Sequence, residues 1–344
     1  MLEPLTFAPV YKEYVWGGQR IPRVYHRAGA PEICAESWEI SAHPDGMSVV
    51  DVGPLRGRTL ASLVDDFGVQ LLGTHPAPGK FPLLLKIIDA RDRLSVQVHP
   101  NDEDAQRYGG EAKNEAWHIL EADPGAIIFA GMKPGTRRSD FEEAIRHTRI
   151  DRLLSEVPVR NGDSVVIPGG LVHALDSGLM IYEIQQSSNT TYRIYDWGRV
   201  GHDGKPRETH VAQALRVIAW RDQTAAVSQP VPVPAEPGVA RFHHVETPYF
   251  RMDRIALGAP HRIAHGGGSF HAIFCASGAL RIAFAGHARE LPLGASALIP
   301  AALTDFTLEP VASGTEVLLV WVPSSSGSRN IRGDALSSHR KSSA

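Results

Sequence analysis

The stretch Gly162-Asp163-Ser164-Val165-Val166-Ile167-Pro168-Gly169-Gly170-Leu171-Val172-His173 decides the fold. A glycine opens a short β-branched run, a Pro-Gly-Gly turn stops it, and a histidine enters the next strand. Gly294, Pro300 and Asp305 stand at the same offsets as Gly162, Pro168 and His173, each 132 positions later. The two copies predict one β unit used twice, with aspartate in the second copy where the first has histidine.

Runs of the same style extend outward from this stretch. Leu94-Ser95-Val96-Gln97-Val98-His99 alternates, and Leu179 to Ile184 and Tyr192 to Tyr195 read as further strands. Phe270 to Cys275, Ala279 to Phe284, Ala295 to Ile299 and Glu316 to Val322 continue the pattern. Many short strands punctuated by Gly and Pro predict a mainly β sandwich or jelly roll. Helices are expected at only a few places. One covers Thr59 to Leu72, one opens at a capping box in Ser139-Asp140-Phe141-Glu142 and runs to about His147, and one covers Glu208 to Trp220. In the last, Val211, Leu215 and Ile218 share a face. Prolines 230, 232, 234 and 237 favour an extended linker, and the Ser-, Arg- and Gly-rich tail after Pro323 is expected to be disordered. The expected division is a first unit with helical segments over 1–225, a linker over 226–240, a second β unit over 241–323, and a tail over 324–344.

The 344 residues suffice for two or three domains. With 43% hydrophobic and 21% charged residues, the balance is that of a globular chain. Lys and Arg number 35 against 38 Asp and Glu, for a net charge of −3, which argues against a general nucleic-acid binder. No run reaches the ~18 apolar residues of a membrane span; the strongest, Phe81 to Ile88, is cut by Lys86. Met1-Leu2-Glu3-Pro4 has no basic region leading into an apolar core, so no signal peptide is expected. Two cysteines, Cys34 and Cys275, form no CxxC and fit a reducing cytoplasm.

The chemistry begins with Gln97 and His99. Two apart on a strand, they point to the same face. Aimed inward, such a polar pair must be satisfied, and a metal can do that; aimed outward, it is a solvated strand face. Glu115 follows in Lys113-Asn114-Glu115-Ala116-Trp117, and His173 closes the deciding stretch. Two imidazoles, a carboxylate and an amide oxygen can hold a borderline metal and leave a position for substrate. The spacings are too long for a zinc finger. No phosphate loop of the GxxxxGK[ST] type exists. Gly266-Gly267-Gly268 reads as a flexible loop, and Arg329, Arg332, Arg340 and Lys341 as a solvated charge run.

The Gly-x5-Pro-x-Gly-x2-His pattern at 162–173 resembles the second metal motif of the cupin superfamily. That superfamily's first motif is usually His-x-His with a Glu shortly after. Gln97-x-His99 with a distant Glu115 departs from it and resembles the type I phosphomannose isomerases. Pro9 to Gly18, Glu36 to Ser41 and Phe81 to Lys86 resemble the same family. So do Leu94 to Asn101, Lys113 to Trp117, Glu183 to Ser188 and Thr191 to Trp197. The matches span about residues 4–200 and are closest to the short bacterial form; the second β unit matches more loosely.

The resemblance implies two cupin (jelly-roll, double-stranded β-helix) units with a few helices, the first catalytic and the second metal-free. It places metal ligands, usually for zinc, at Gln97, His99, Glu115 and His173. It places the active-site arginine at Arg193 and polar site residues at Lys113 and Glu183. It puts Trp16, Lys86 and Ser95 in the pocket wall. Asn114 departs from the family, which often has Thr or Pro there. The implied reaction interconverts mannose 6-phosphate and fructose 6-phosphate through a cis-enediol. A divalent metal would polarise oxygen, Arg193 would hold oxyanion or phosphate charge, and Glu183 or Lys113 would serve as base. Plainer readings make Arg193 and Asp196 a structural ion pair, Glu183 and Lys113 solvated charges, and Trp16 and Trp38 core residues. The competing functions are an iron-using cupin oxygenase and a non-catalytic sugar-binding cupin; the Gln ligand and the Glu183-to-Trp197 block favour the isomerase. The expected partner is a small sugar phosphate, with no nucleic acid and no membrane. One metal per chain is expected, because no Gln-x-His precedes Asp305, and no two of His271, His287 and Glu290 sit two apart.

Overall fold

Strand Leu179–Gln186 shows how the sequence builds the centre of the molecule, here described from a computed structural model covering residues 2–74, 79–201, 204–221 and 225–323. Alternation sends Met180, Tyr182 and Ile184 to one face and Leu179 and Ile181 to the other. Both faces are buried, because the strand is central to a sheet with cores on both sides. Its neighbour Leu83–Ala90 follows the same rule: Leu83, Leu85 and Ile87 face the first core, and Ile88 and Ala90 the second.

Two jelly-roll sandwiches result. In the first, a six-stranded sheet runs in the order Ser164–Ile167, Glu115–Ala122, Leu179–Gln186, Leu83–Ala90, Glu36–Ser41, Val10–Lys12. It faces a five-stranded sheet in the order Tyr192–Tyr195, Val96–Val98, His173–Leu175, Ile127–Met132, Leu154–Pro158. Ile88, Trp117, Ile119 and Ile181 pack between them against Ile128, Ala130 and Leu175. In the second, an eight-stranded and a four-stranded sheet enclose Ile255, Ile273, Phe306 and Leu319. The two sandwiches pack back to back, with Tyr182 of one stacked on Phe274 of the other at a centroid distance of 4.4 Å. Such a pair adds about 0.5–1.5 kcal/mol beyond the area it buries.

The sequence repeat is a structural repeat. Strands Ser164–Ile167 and Ser296–Ile299 stand 132 positions apart, as do the starts of strands His173–Leu175 and Asp305–Pro310. Gly162 and Gly294 both have left-handed φ, +84° and +75°. At Gly294 a Cβ would also strike the Tyr25 ring, 2.1 Å away.

Some expectations shift. The helix predicted over Thr59 to Leu72 is two helices, Leu60–Phe67 and Val69–Leu72, broken at Gly68 with φ +43°. Thr59 caps the first. The helix predicted to open at Ser139 is Arg138–Arg146: the Asp140 carboxylate accepts from Arg137 N, so the cap lies two residues earlier. The helix predicted over Glu208 to Trp220 is Val211–Val217. Within the proline-rich 226–240, Val231–Val233 is an edge strand paired with Val239–Glu246. At the other end of the chain, Leu5–Ala8 pairs with Ser296–Ile299 and so joins the sheet of the second sandwich. The tail expected to be disordered, with its four basic residues, lies outside the described residues. Among the described residues no helix is long and apolar enough to cross a membrane.

Candidate active site and metal centre

Gln97, His99, Glu115 and His173 meet inside the first sandwich. Register brings three positions into one row across the five-stranded sheet: Arg193 pairs with Gln97, and Gln97 with His173. His99 follows the strand that carries Gln97, and Glu115 opens the facing strand. His99 Nε2 lies 3.5 Å from Glu115 Oε2, and His173 Nε2 lies 3.4 Å from Glu115 Oε1. Gln97 Nε2 stands 3.3 Å from His173 Nε2, while its Oε1 accepts from Ser95 Oγ. In this arrangement the amide nitrogen faces the cluster; exchanging the two ends of the amide would present its oxygen to a metal and leave Ser95 Oγ to accept from Nε2.

The second ring nitrogens explain the orientation. His99 Nδ1 and His173 Nδ1 lie 2.9 and 2.8 Å from the carbonyls of Thr190 and Leu171. A carbonyl only accepts, so both Nδ1 atoms carry hydrogen and both Nε2 lone pairs face the cluster. His99 Nε2 and Glu115 Oε1 are buried without a hydrogen-bond partner, and Glu115 Oε2 has the Lys113 ammonium at 2.9 Å. Orphaned acceptors in such a place are costly unless a cation meets them. The donor set therefore fits a divalent metal, and ligand atoms of His99, Glu115 and His173 lie within 4.8 Å of one another. Burial holds His99 and His173 below the usual imidazole range; Lys113 and the neighbouring His173 add to this at His99. At Glu115, burial pushes the carboxyl up, but Lys113 and His173 outweigh it and the net direction is down. Neutral imidazoles beside a carboxylate are the ligand-ready state.

A cavity of about 380 Å3 opens beside the cluster, within the size range of small-molecule sites. Trp16, Lys86, Ser95, Gln97, Lys113, Glu183 and Arg193 all line it, so each pocket position expected from sequence reaches one space. Glu183 is buried between Lys86 Nζ, 2.6 Å from Oε2, and Trp117 Nε1, which donates to Oε1 at 2.9 Å. It is not a solvated strand carboxylate. Lys113 is buried on Glu115 and is not a surface lysine. Burial, with Lys113 adding, pushes Lys86 down to about 8, against the pull of Glu36 and Glu115. The ion pair considered between Arg193 and Asp196 does not form. Asp196 holds Arg199 at 2.6 Å and Arg207 at 2.6 and 2.8 Å, while Arg193 Nη1 donates to the Glu208 carbonyl at 2.7 Å. Trp38 is core and donates to Glu36, whereas Trp16 is both buried and in the cavity wall.

Arg207, His210, Tyr14 and Glu36 also line the cavity, with nothing in the sequence to mark them as cavity residues. Arg207 and His210 come from a loop whose pattern carries no signal. Glu36 opened a block matched for other reasons. The Gly266–Gly268 loop is not in this wall; Thr74 N donates to the Gly268 carbonyl. Two larger hollows, of about 800 and 940 Å3, contain none of the cluster residues.

Known proteins resemble this chain in sequence and in fold. The sequence model of the family described as "Phosphomannose isomerase type I, catalytic domain" matches residues 5–124. The mannose-6-phosphate isomerase of Streptococcus mutans is 39% identical over 219 residues, covering 63% of this chain and 68% of that protein. The YvyI protein of Bacillus subtilis is 30% identical over 325 residues, covering 92% and 98%. The crystal structure of the mannose 6-phosphate isomerase from Bacillus subtilis superposes with a TM-score of 0.84 at 28% identity, covering 93% and 99%. With the ligand-ready cluster and the cavity beside it, these likenesses lead to one conclusion: the chain belongs to the type I phosphomannose isomerase family.

Proposed function

We propose that this chain interconverts mannose 6-phosphate and fructose 6-phosphate through a cis-enediol, with a divalent metal, zinc first among them, held by Gln97, His99, Glu115 and His173. The observation that carries the reading is the meeting of orphaned acceptors on His99 and Glu115 with Arg193 and the Lys86–Glu183 pair around one cavity. When bound, the metal supplies Lewis-acid polarisation of the sugar oxygens.

The residues divide the remaining work. Glu183, paired with Lys86 and aimed by Trp117, takes the carbon-bound proton at one carboxylate oxygen. Lys86 holds the proton that serves the sugar oxygen. Lys113 positions Glu115. Arg193, permanently cationic, holds oxyanion or phosphate charge through the nitrogens not used by the Glu208 carbonyl. Trp16 closes the cavity against water, and Ser95 orients the Gln97 amide. Catalysis is assigned to the first unit, expected over 1–225, and a metal-free supporting role to the second, expected over 241–323, whose sheet also takes in Leu5–Ala8 and Val231–Val233. Free, buried Cys34 and Cys275 fit a cytoplasmic location.

The test is a purified-protein assay with mannose 6-phosphate, fructose 6-phosphate and free mannose, with and without chelator. Turnover of both phosphates that chelator abolishes supports the reading, as does joint loss of metal and rate in His99→Ala. Full activity in a metal-free protein contradicts it.

A further inference from the structure

The Asn114 side chain joins the segments that carry the cluster. Its Oδ1 accepts from Gly169 N at 2.9 Å, on the turn that leads to His173. Its Nδ2 and backbone N donate to Gln186 Oε1 at 2.7 and 2.9 Å, and Gln186 N returns a bond to the Asn114 carbonyl at 3.1 Å. Next to it, Lys113 N donates to the Pro100 carbonyl and Gly170 N to the His99 carbonyl, at 2.9 and 2.8 Å. The loop after His99, the residues before Glu115 and the turn before His173 therefore close on one point. The fit is tight: a Cβ at Gly169 would lie 2.7 Å from the Asn101 backbone.

The second sandwich reaches this point through the Tyr249 side chain. Gln186 Nε2 donates to Asp102 Oδ1 at 3.2 Å, and the Tyr249 hydroxyl donates to Asp102 Oδ2. Asp102 thus links the Tyr249 hydroxyl to Gln186, and Gln186 in turn accepts from Asn114. Tyr249 sits on the turn between strands Val239–Glu246 and Arg251–Leu257. That turn is pinned by Thr247, whose Oγ1 donates to the Phe250 carbonyl at 2.8 Å and accepts from Phe250 N at 3.0 Å. Phe250 is fully buried in the core between the sandwiches. The place of the Tyr249 hydroxyl is thus set by the second sandwich, while its partners brace the first.

The geometry points to Tyr249 as a positioning residue: through Asp102, Gln186 and Asn114, the second sandwich fixes the loops that present His99, Glu115 and His173 to the metal. Tyr249 lines neither the cavity nor the cluster and acts through Asp102, Gln186 and Asn114 in turn. The inference rests on the metal reading above. Partners of metal ligands change affinity or activity by about 10–100-fold when removed.

The experiment is a cobalt(II) titration of chelator-treated full-length protein, followed by visible absorption, with wild type, Tyr249→Phe and Asn114→Ala. Tyr249→Phe removes one oxygen and keeps the ring. It is expected to weaken cobalt binding about 10-fold, to change the absorption band and to lower kcat, with the melting temperature of the metal-free protein nearly unchanged. Asn114→Ala should do the same more strongly, and the double variant should fall short of the product of the two effects. Tyr108→Phe, which removes another hydroxyl from the neighbouring helix Asp102–Tyr108, should match wild type. Unchanged cobalt affinity and spectrum in Tyr249→Phe would overturn the inference, and a lower melting temperature with unchanged affinity would reduce Tyr249 to a structural contact. Wild type that takes up no cobalt contradicts the metal reading, and this inference falls with it.

Discussion

Lys86 and Glu183 stand directly opposite each other on adjacent antiparallel strands, and their charged ends meet 2.6 Å apart inside the first sandwich. Both strands send alternate residues into the core between the sandwiches, so the same alternation that packs Ile87 and Tyr182 outward turns this pair inward. Glu36 lies 3.4 Å from the same ammonium. A buried pair of this kind is costly to break, because removing one charge strands the other.

The pair should set a pH limit on turnover. Lys86 is pushed down to about 8, chiefly by burial. Below that value it carries its proton and holds Glu183; above it the charge is lost. The ratio kcat/KM should therefore fall as pH rises through about 8, and Lys86→Arg, which stays charged, should remove that limb from whatever activity remains. A wild-type profile flat from about pH 7 to about pH 10 contradicts this.

Arg193 should matter to turnover more than to folding. Its Nη1 meets the Glu208 carbonyl, and Asp196 is taken by Arg199 and Arg207. Arg193→Lys keeps charge but loses the planar fork, so kcat/KM should drop by about 100-fold or more, with a small change in melting temperature. An unfolded variant of near-wild-type specific activity per folded molecule would assign Arg193 to structure instead.

Metal content should distinguish the two copies of the β unit. Asp305 pairs on the surface with Arg262, at 2.6 and 2.8 Å. Asp305→Ala should leave metal near one per chain and the rate nearly unchanged, whereas His173→Ala should abolish both. Two tightly bound metals, with one lost in Asp305→Ala, would overturn the assignment.

Acid should unfold the protein through a pair of histidines between the sandwiches. His118 Nδ1 and His244 Nδ1 share the Ser164 hydroxyl, at 2.9 and 3.1 Å. Burial pushes His118 down to about 3, with His244 and Arg254 adding, and His244 down to about 4, with Arg254 and His243 adding against the pull of Asp253. Both titrate near 6.5 when unfolded, so the unfolded chain binds the extra protons first. Stability is full above about pH 6.5 and is lost as pH falls towards about 4, by up to about 1.4 kcal/mol per pH unit for His118. Denaturant melts across this window should show a shallower loss in His118→Gln; parallel curves for variant and wild type would contradict it.

Local pattern made much of this legible. The period of two put Gln97 and His99 on one face, and the repeated Gly-Pro spacing marked strands that recur in the structure. Non-local pairing was not legible. Nothing near Leu5 announces that it will pair with Leu298 of the second sandwich. Arg207 and His210 enter the cavity from a loop whose course is set by Asp196 and Arg193. The Ser139 cap failed because Asp140 reaches back to Arg137, a side-chain contact that the short motif does not specify.

The most direct measurement is turnover of mannose 6-phosphate by chelator-stripped protein as zinc is added back in known amounts. No activity is expected at zero zinc, followed by a linear rise and a sharp break at one zinc per chain, with His173→Ala flat throughout. Full turnover before any metal is added, or a break at two zinc per chain, would contradict this expectation.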